Sequence, residues 1–350
     1  MSKTVVPLAD LGSFDEIIDT RSPAEFAEDH IPGALNCPVL DNAQRAMIGT
    51  LYKQSPFEAR RLGGALVAEN IARHLKETLH DRPRHWRPLV YCWRGGMRSG
   101  AFVTWMRLIG WQACQLEGGY KTWRHDVLAR LQTLPARLDW RVLCGPTGSA
   151  KTAVLLAMAG NGAQVLDLEG LACHKGSVLG ALPDQAQPAQ KWFETQIAQQ
   201  LARFDPARPV FVEAESRKIG RLFLPETLIQ AMRAAACIEI DATREARIAY
   251  LLRDYAWLGD EPATLAEKLS RLKGLQANET LARWQGWAQA RALPALYAEL
   301  IDLHYDPLYA RSQQANFSAL GRAQRVGCTD LSPAGVARLA TQIMASCGCV

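Results

Sequence analysis

No stretch of the 350-residue chain holds the roughly 18 consecutive apolar residues that a membrane-spanning helix needs. The opening, MSKTVVPLADLGSFDEIIDT, lacks the basic start and long apolar run of a secretory leader, so a cytoplasmic protein with no membrane partner is expected. No internal repeat is visible. Neither sign of charge dominates: the net charge is +5, which permits a polyanionic partner such as RNA without requiring one. A disulfide framework is excluded as well. The nine cysteines are odd in number and scattered: Cys37, Cys92, Cys114, Cys144, Cys173, Cys237, Cys328, Cys347 and Cys349. The closing CGCV has no second cysteine pair at zinc-finger spacing, so a loose tail is expected there rather than a metal site. What is present is a globular composition, 48% hydrophobic and 21% charged, long enough for about two domains.

Two runs of strand and helix signals follow one another. In the first, EIID reads as a short strand. Ser22 and Pro23 open a helix as N-cap and first helical residue, and HIPGALNCPV is a turn with a second short strand. Residues 55–79 carry helical apolar spacing behind another Ser-Pro. RPLVYC is a buried strand, SGAFVTWMRLIGW a helix closing near Gly110, and QACQLEGGYKTWRHDVLARL a strand, a Gly-Gly turn and a helix. Strands alternating with helices predict a parallel α/β domain over 1–134. QTLPARLDWR holds the linker, placed at 135–140. The alternation then restarts over 141–350 with strands in DWRVLC, AQVLDLEG, RPVFVEAES and ACIEIDA. From about 243 to 310 the chain turns strongly helical, and the final segment reads as one helix and a tail.

The segment LVYCWRGGMRSGAF puts Cys92 at the end of a buried strand, shortly before a helix begins. Gly95 and Gly96 accept backbone angles that other residues resist, so successive loop amides can turn inward. The helix N-terminus adds partial positive charge, and Arg94 and Arg98 add full charges. Such surroundings favour the thiolate, which is the nucleophile, and the same donors suit a bound anion or the terminal chalcogen of a persulfide. Cys37, Cys114, Cys144 and Cys237 lie in apolar stretches without this setting and read as core.

Over about residues 14–131 the chain resembles the rhodanese family. The resemblance rests on IIDTRSPAEFAEDHIPGALN, with its Asp-x-Arg and His-Ile-Pro-Gly-Ala, on the cysteine loop, and on EGGYKTW. It implies that Cys92 carries a persulfide or perselenide and that Asp19 and Arg21 support the loop rather than react. A common single-domain rhodanese loop reads C-x-x-G-x-R-S; CWRGGMRS is one residue longer and is formally C-x5-R, as in cysteine phosphatases. A wider loop suits a tetrahedral oxyanion, so phosphatase chemistry stands as an alternative. No general acid for it is evident.

GPTGSAKT, residues 145–152, follows the strand WRVLC and opens the helix TAVLLAM, the context of a Walker A loop. Gly145 and Gly148 let the backbone wrap phosphate, Lys151 reaches its oxygens, and Thr152 is placed to hold Mg²⁺. Ala150 stands where the pattern has its last glycine, which leaves open whether the ligand is a nucleoside triphosphate or another phosphate. RPVFVEAESRKIG ends a strand in carboxylates, so Glu213 or Glu215 is the candidate Walker B acid, and Arg217 with Lys218 is a candidate second phosphate contact, unless SRKIG is a solvated turn. CHKGSVLG is a Gly/Ser-rich loop able to approach a ligand; His174 alone carries little.

Taken whole, the chain resembles the bacterial tRNA 2-selenouridine synthase family. The residues that carry this are GTLYKQSPFEARRLGGALVAENI, YCWRGGMRS, LEGGYKTWR, the phosphate loop, HKGSVLG, VFVEAESRKIG and YDPLY, in this order over nearly the full length. The resemblance implies a rhodanese-like domain fused to a P-loop domain. It implies a transferase that converts wobble 2-thiouridine of tRNA to 2-selenouridine through S-geranyl-2-thiouridine. Geranyl diphosphate and then selenophosphate are the implied co-substrates, with the synthetase that makes selenophosphate a candidate partner. Cys92 would carry the selenium, and the P-loop would grip a diphosphate. No tightly bound cofactor is expected. The alternative is a rhodanese-type sulfurtransferase or cysteine phosphatase fused to a small-molecule kinase. For the RNA, the Arg-rich helical part offers Arg244, Arg247, Arg253, Tyr255, Trp257, Arg271, Lys273, Arg283, Trp284, Trp287 and Arg291, unless these make an ordinary bundle with Trp inside and Arg outside.

Overall fold

The computed structural model describes residues 4–177, 179–182, 185–257, 261–317 and 319–348. Its chain divides into two compact units, Met1–Ala129 with Ala189–Thr195, and Arg130–Pro188 with Gln196–Val350. The fold is α/β in both. Among the described residues no helix is long and apolar enough to cross a membrane.

The first unit is built on β1 (Val5–Val6), β2 (Glu16–Asp19), β3 (Leu35–Asn36), β4 (Pro88–Tyr91) and β5 (Cys114–Leu116). They form one parallel sheet in the order β1-β5-β4-β2-β3. Every residue of β4 is buried, as a central parallel strand covered on both faces must be. The chain leaves β2 toward β3 and leaves β4 toward β5. The sheet therefore changes direction between β2 and β4, where open α/β sheets place their ligands at the strand C-termini. Ile18, Val90, Phe102 and Met106, fully buried, centre the core, with Trp86 edge-on to Trp111. The helix Pro23–Glu28 starts as the sequence predicts, with Ser22 and Glu25 closing a capping box. Helix Met97–Ile109 ends at Gly110, whose φ of 111° only glycine adopts easily.

The second unit is built on β6 (Asp139–Cys144), β7 (Gln164–Leu166), β8 (Pro209–Glu213), the short antiparallel hairpin β9 (Lys218–Ile219) and β10 (Leu222–Phe223), then β11 (Ala236–Ala242) and β12 (Gln324–Cys328). Its main sheet is parallel, in the order β12-β11-β6-β8-β7. Helices Lys151–Gly160 and Pro333–Ser346 pack on it around Leu143, Val154, Ile240, Leu339 and Ile343. A second cluster, centred on fully buried Trp284 with Leu265, Leu269, Leu296 and Leu300, holds the helical part together. Burial of each such side chain contributes about 1.5–3 kcal/mol.

The expected 135–140 linker is folded structure. Pro135–Arg137 form a 3-10 turn, β6 begins at Asp139, and buried Trp140 donates its indole N–H to the Pro135 carbonyl. Residues 189–195, which the sequence reading assigns to the second domain, group with the first unit. Cys37, Cys114, Cys144 and Cys237 are buried, each 8% exposed or less. The helix Pro333–Ser346 closes the described chain, and Cys349 lies outside the described residues.

Candidate active site

Cys92 directly follows β4 and is 3% exposed. Its Sγ accepts the backbone N–H of Gly96 at 3.2 Å and the Ser99 hydroxyl at 3.1 Å. Burial pushes the thiol up, but the Ser99 hydroxyl and the backbone amides of Ser99, Gly96 and Arg94 outweigh it, leaving the thiol below its ordinary value. Ser99 is itself set by Gln115 of β5, whose Nε2 donates to Ser99 Oγ at 2.8 Å and to the Gly96 carbonyl at 2.9 Å. The Ser99 hydroxyl proton has two acceptors in reach, the Cys92 sulfur at 3.1 Å and the Gly96 carbonyl at 3.3 Å, and the Gly96 carbonyl already accepts from Gln115. Neither Ser99 nor Gln115 was assigned a role from sequence. The signal for Gln115 was a lone amide in an apolar strand, which has no meaning until β5 is seen beside β4.

Removing the Ser99 hydroxyl should lower the thiolate fraction. Ser99→Ala is expected to slow alkylation of Cys92 by iodoacetamide about tenfold at pH 7, the worth of one hydrogen bond to a charged group, and to move the pH profile of the rate upward. Peptide mass mapping of the labelled site reads this out. An unchanged profile would assign the thiol's reactivity to the amides alone.

The glycines divide. Gly95 has φ +62°, and a Cβ there would lie 2.6 Å from the Leu116 carbonyl. Gly96 has φ −106° with nothing within 4 Å of a built Cβ, so only Gly95 is required by conformation. Arg94 contributes its amide while its side chain is exposed. Arg98 departs from expectation: Nη1 donates to Glu25 Oε2 at 2.9 Å, because the first turn of helix Pro23–Glu28 presents a carboxylate to it. The donors that meet the sulfur are neutral groups, the Gly96 amide and the Ser99 hydroxyl. Asp19 and Arg21 are 0% and 1% exposed and paired at 2.6 Å. The Arg21 guanidinium lies 3.9 Å from the Tyr120 ring centroid and donates to the Asp29 carbonyl. Tyr120 N–H in turn donates to the Cys92 carbonyl at 2.8 Å. The pair is a buttress and does not touch the sulfur.

The second site follows β6. Gly145 (φ +150°) and Gly148 (φ +84°) have positive φ, as does Ala150 (φ 59°). A non-glycine in the left-handed region costs about 1–2 kcal/mol, so the departure from the usual glycine leaves the loop's shape intact at the expense of strain. Lys151 Nζ reaches back to the Gly145 carbonyl at 2.8 Å, and Thr152 Oγ1 donates to Glu169 Oε2 at 2.9 Å. From YDPLY, the Tyr309 hydroxyl meets the Gly145 N–H, and Asp306 takes both arms of Arg247, whose Nε donates to the Thr147 carbonyl at 2.9 Å. The loop opens on a cavity of about 730 Å³. One wall carries Asp167, Glu169 and Glu215; another, from the helical part, carries Tyr250, Tyr255, Tyr305, Leu308 and Phe317.

Of the two candidate Walker B acids, Glu215 faces the cavity. Glu213 is fully buried, neither carboxylate oxygen has a hydrogen-bond partner, and burial pushes its pKa well up. Glu169, unassigned from sequence, lines the same cavity as Glu215. Burial and that neighbour raise it to about 7, since a second carboxylate nearby disfavours its ionisation. Arg217 is not brought to the loop: it is exposed and paired with Glu226. Buried His174 lines the cavity with its Nδ1 unpartnered. Among the described residues no three His, Cys, Asp or Glu side chains are grouped to hold a metal.

Most of the expected RNA-facing residues are committed elsewhere. Arg244 pairs with Asp302, Arg247 is buried on Asp306, Arg283 pairs with Glu299, and Arg253 bonds the Leu331 carbonyl. Tyr255 and Trp284 are core, and Trp287 packs against it. The helical part is thus a bundle with its aromatics turned inward. Arg271, Lys273 and Arg291 are exposed.

Known proteins match along both units. The family model described as a rhodanese-like domain covers residues 7–126, and that described as the tRNA 2-selenouridine synthase AAA domain covers 138–282. Relatives named tRNA 2-selenouridine synthase include one from Cupriavidus necator, 33% identical over 347 residues (90% of this chain, 93% of the relative). Another, from Alcanivorax borkumensis, is 32% identical over 326 residues, with 84% and 88% covered. One from Nitrosomonas europaea is 35% identical over 244 residues, 68% of this chain and 63% of that protein, so the match spans just under two thirds of that relative. With a rhodanese-like cysteine loop in one unit, a phosphate loop in the other and these matches across both, the chain belongs to the tRNA 2-selenouridine synthase family.

Proposed function

We propose that this protein is a tRNA-modifying transferase that replaces the sulfur of a wobble 2-thiouridine by selenium through an S-geranyl intermediate. In the first step the thiouridine sulfur bonds to C1 of geranyl diphosphate, the C–O bond breaks, diphosphate leaves and the base gives up its N3 proton. In the second, the selenium of selenophosphate bonds to C2, the C2–S bond breaks and the geranyl thiolate leaves; water then takes the phosphoryl group from selenium as phosphate. S-alkylation turns a poor leaving group into a good one.

The observation that carries the reading is the Cys92 sulfur, buried yet held by the Gly96 amide and the Ser99 hydroxyl in a setting that favours its anion. Neutral donors of this kind suit a soft chalcogen anion, and Cys92 is the selenium-carrying nucleophile: loading selenide-level selenium as a perselenide takes a disulfide-level two-electron oxidant, and a thiol then reduces the C2–Se–S link formed on transfer to release the base. The phosphate loop grips the diphosphate of geranyl diphosphate through Gly145, Gly148 and Lys151. The aromatic and aliphatic wall of its cavity suits an isoprenoid chain better than the sugar of a nucleotide. Oxygen donors at Thr152 and Glu169 fit a Mg²⁺ ion arriving with the phosphates, which would neutralise charge there. A cytoplasmic location fits a tRNA substrate.

The test is to incubate the full chain with 2-thiouridine tRNA, geranyl diphosphate and selenophosphate and to weigh the nucleosides. Cys92→Ser should lose selenouridine by at least about 100-fold while S-geranyl-2-thiouridine accumulates. Lys151→Ala should lose the geranylated nucleoside. Undiminished selenouridine from Cys92→Ser removes the reading; intact geranylation by Lys151→Ala removes the diphosphate assignment.

A further inference from the structure

The segment SRKIGRLF, whose Arg217 does not reach the phosphate loop, has a place of its own. It forms the β9–β10 hairpin, with Lys218 directly opposite Phe223. Both side chains are exposed: Phe223 is 58% accessible, and Lys218 Nζ lies 5.5 Å from its ring centroid. An aromatic ring that open, on a two-stranded hairpin, contributes little to a core.

The hairpin is also pinned. Gln187 Nε2 donates to the Ile219 carbonyl at 3.0 Å, and its Oε1 accepts the Arg221 N–H at 2.8 Å. Gly220, at φ +57°, is required here, because a Cβ would lie 2.1 Å from Gln187 Oε1. Lys218 and Phe223 are therefore held on a pre-organised platform, which lowers the entropy cost of binding.

Beside the platform runs a groove of about 630 Å³. Lys218 and Arg271, the latter at the end of helix Pro262–Ser270, both line it, with Gln185 and Gln187. No carboxylate is among the described residues that line it. Arg271 is paired with Glu267 at 3.9 Å, itself 75% exposed, so that contact is weak. The groove shares His174, Gly176, Ser177 and Leu182 with the phosphate-loop cavity, so the two are neighbours across one loop.

We infer that this groove and hairpin bind single-stranded RNA next to the phosphate loop, with Lys218 and Arg271 on successive phosphates and a base stacked on Phe223. Cations spaced across an open groove with an aromatic face beside them match the chemistry of an unpaired RNA loop. A free diphosphate would use the cations and leave the ring idle. The inference rests on the proposed function for its RNA.

The experiment measures binding of fluorescent 2-thiouridine tRNA to the full chain across a salt series, together with inorganic diphosphate binding. Lys218→Ala/Arg271→Ala should weaken tRNA binding about tenfold or more at low salt and flatten the slope of log K against log salt by about 1.4, the loss of two single-strand phosphate contacts. Phe223→Ala should weaken binding about fivefold with the slope unchanged. Diphosphate affinity should hold in both. Wild-type protein that binds tRNA alongside variants that match it in affinity and slope overturns the inference and leaves the proposed function standing. Wild-type protein without tRNA affinity overturns both. Loss of diphosphate binding with tRNA binding retained makes the groove a small-anion site and also overturns the inference.

Discussion

Replacing Arg21 by alanine is expected to destabilise the first unit by about 3–5 kcal/mol, the cost of leaving one member of a buried ion pair without its partner. Asp19 is 0% exposed, and Arg21 Nε, Nη2 and backbone N–H all donate to its carboxylate. Without the guanidinium that carboxylate has no comparable donor, and the space between Tyr91 and Tyr120 empties. Arg21→Lys should recover only part of the loss. It restores a charge, but not the planar fork that bonds Asp19 and the Asp29 carbonyl while stacking on Tyr120. Hydrogen exchange of the peptide covering β4, followed through a denaturant series on the full chain, measures this without assuming that both units unfold together. A loss below about 1 kcal/mol would mean the pair behaves like a surface contact, and its burial would then need another explanation.

The features legible in the sequence were those with a local cause. Ser22-Pro23 and Ser55-Pro56 start their helices because N-cap and N1 preferences act within one turn. Cys92 stood out because strand, thiol and glycines are adjacent. The helix Asn42–Gln54 went unread: no residue in it is buried, so it has no apolar stripe, and its start depends on an Asp41–Gln44 capping box. β12 was missed because a parallel edge strand with one buried residue, Val326, carries almost no pattern, and its partner β11 lies far upstream. The ion pairing of the Arg-rich helices was not legible for a related reason. Arg244 and Arg247 look like free cations on a helix until Asp302 and Asp306, 58 and 59 residues later, are folded against them. Long-range ion pairing leaves no trace in composition. The same holds for the Glu169–Glu215 pair, assembled from two strands' ends.

On the proposed function, Gly119→Ala is expected to abolish selenouridine formation, by at least about 100-fold, while leaving the second unit folded. The residue sits at φ +58°, and a Cβ would come within 2.2 Å of the Cys92 carbonyl and 2.5 Å of the Gly95 nitrogen. Both are backbone atoms and cannot swing aside. A single methyl therefore drives a wedge between the Gly-Gly turn and the cysteine loop. The Tyr120 N–H to Cys92 carbonyl bond and the Lys121 N–H to Trp93 carbonyl bond must lengthen together. Those bonds set where Cys92 ends and where the Gly96 and Ser99 donors point, so the sulfur loses its anion-favouring contacts although none of its own ligands is changed. Two measurements separate this from simple unfolding. Diphosphate binding at the phosphate loop should persist in Gly119→Ala, and Cys92 alkylation should slow and shift to higher pH. Gly96→Ala is the matched control: with negative φ and open space around the added methyl, it should melt within about 1 kcal/mol of wild type. If Gly119→Ala kept full selenation, the turn at EGGY would be incidental to the cysteine loop, and the packing that links β4 to β5 would have to position Cys92 alone.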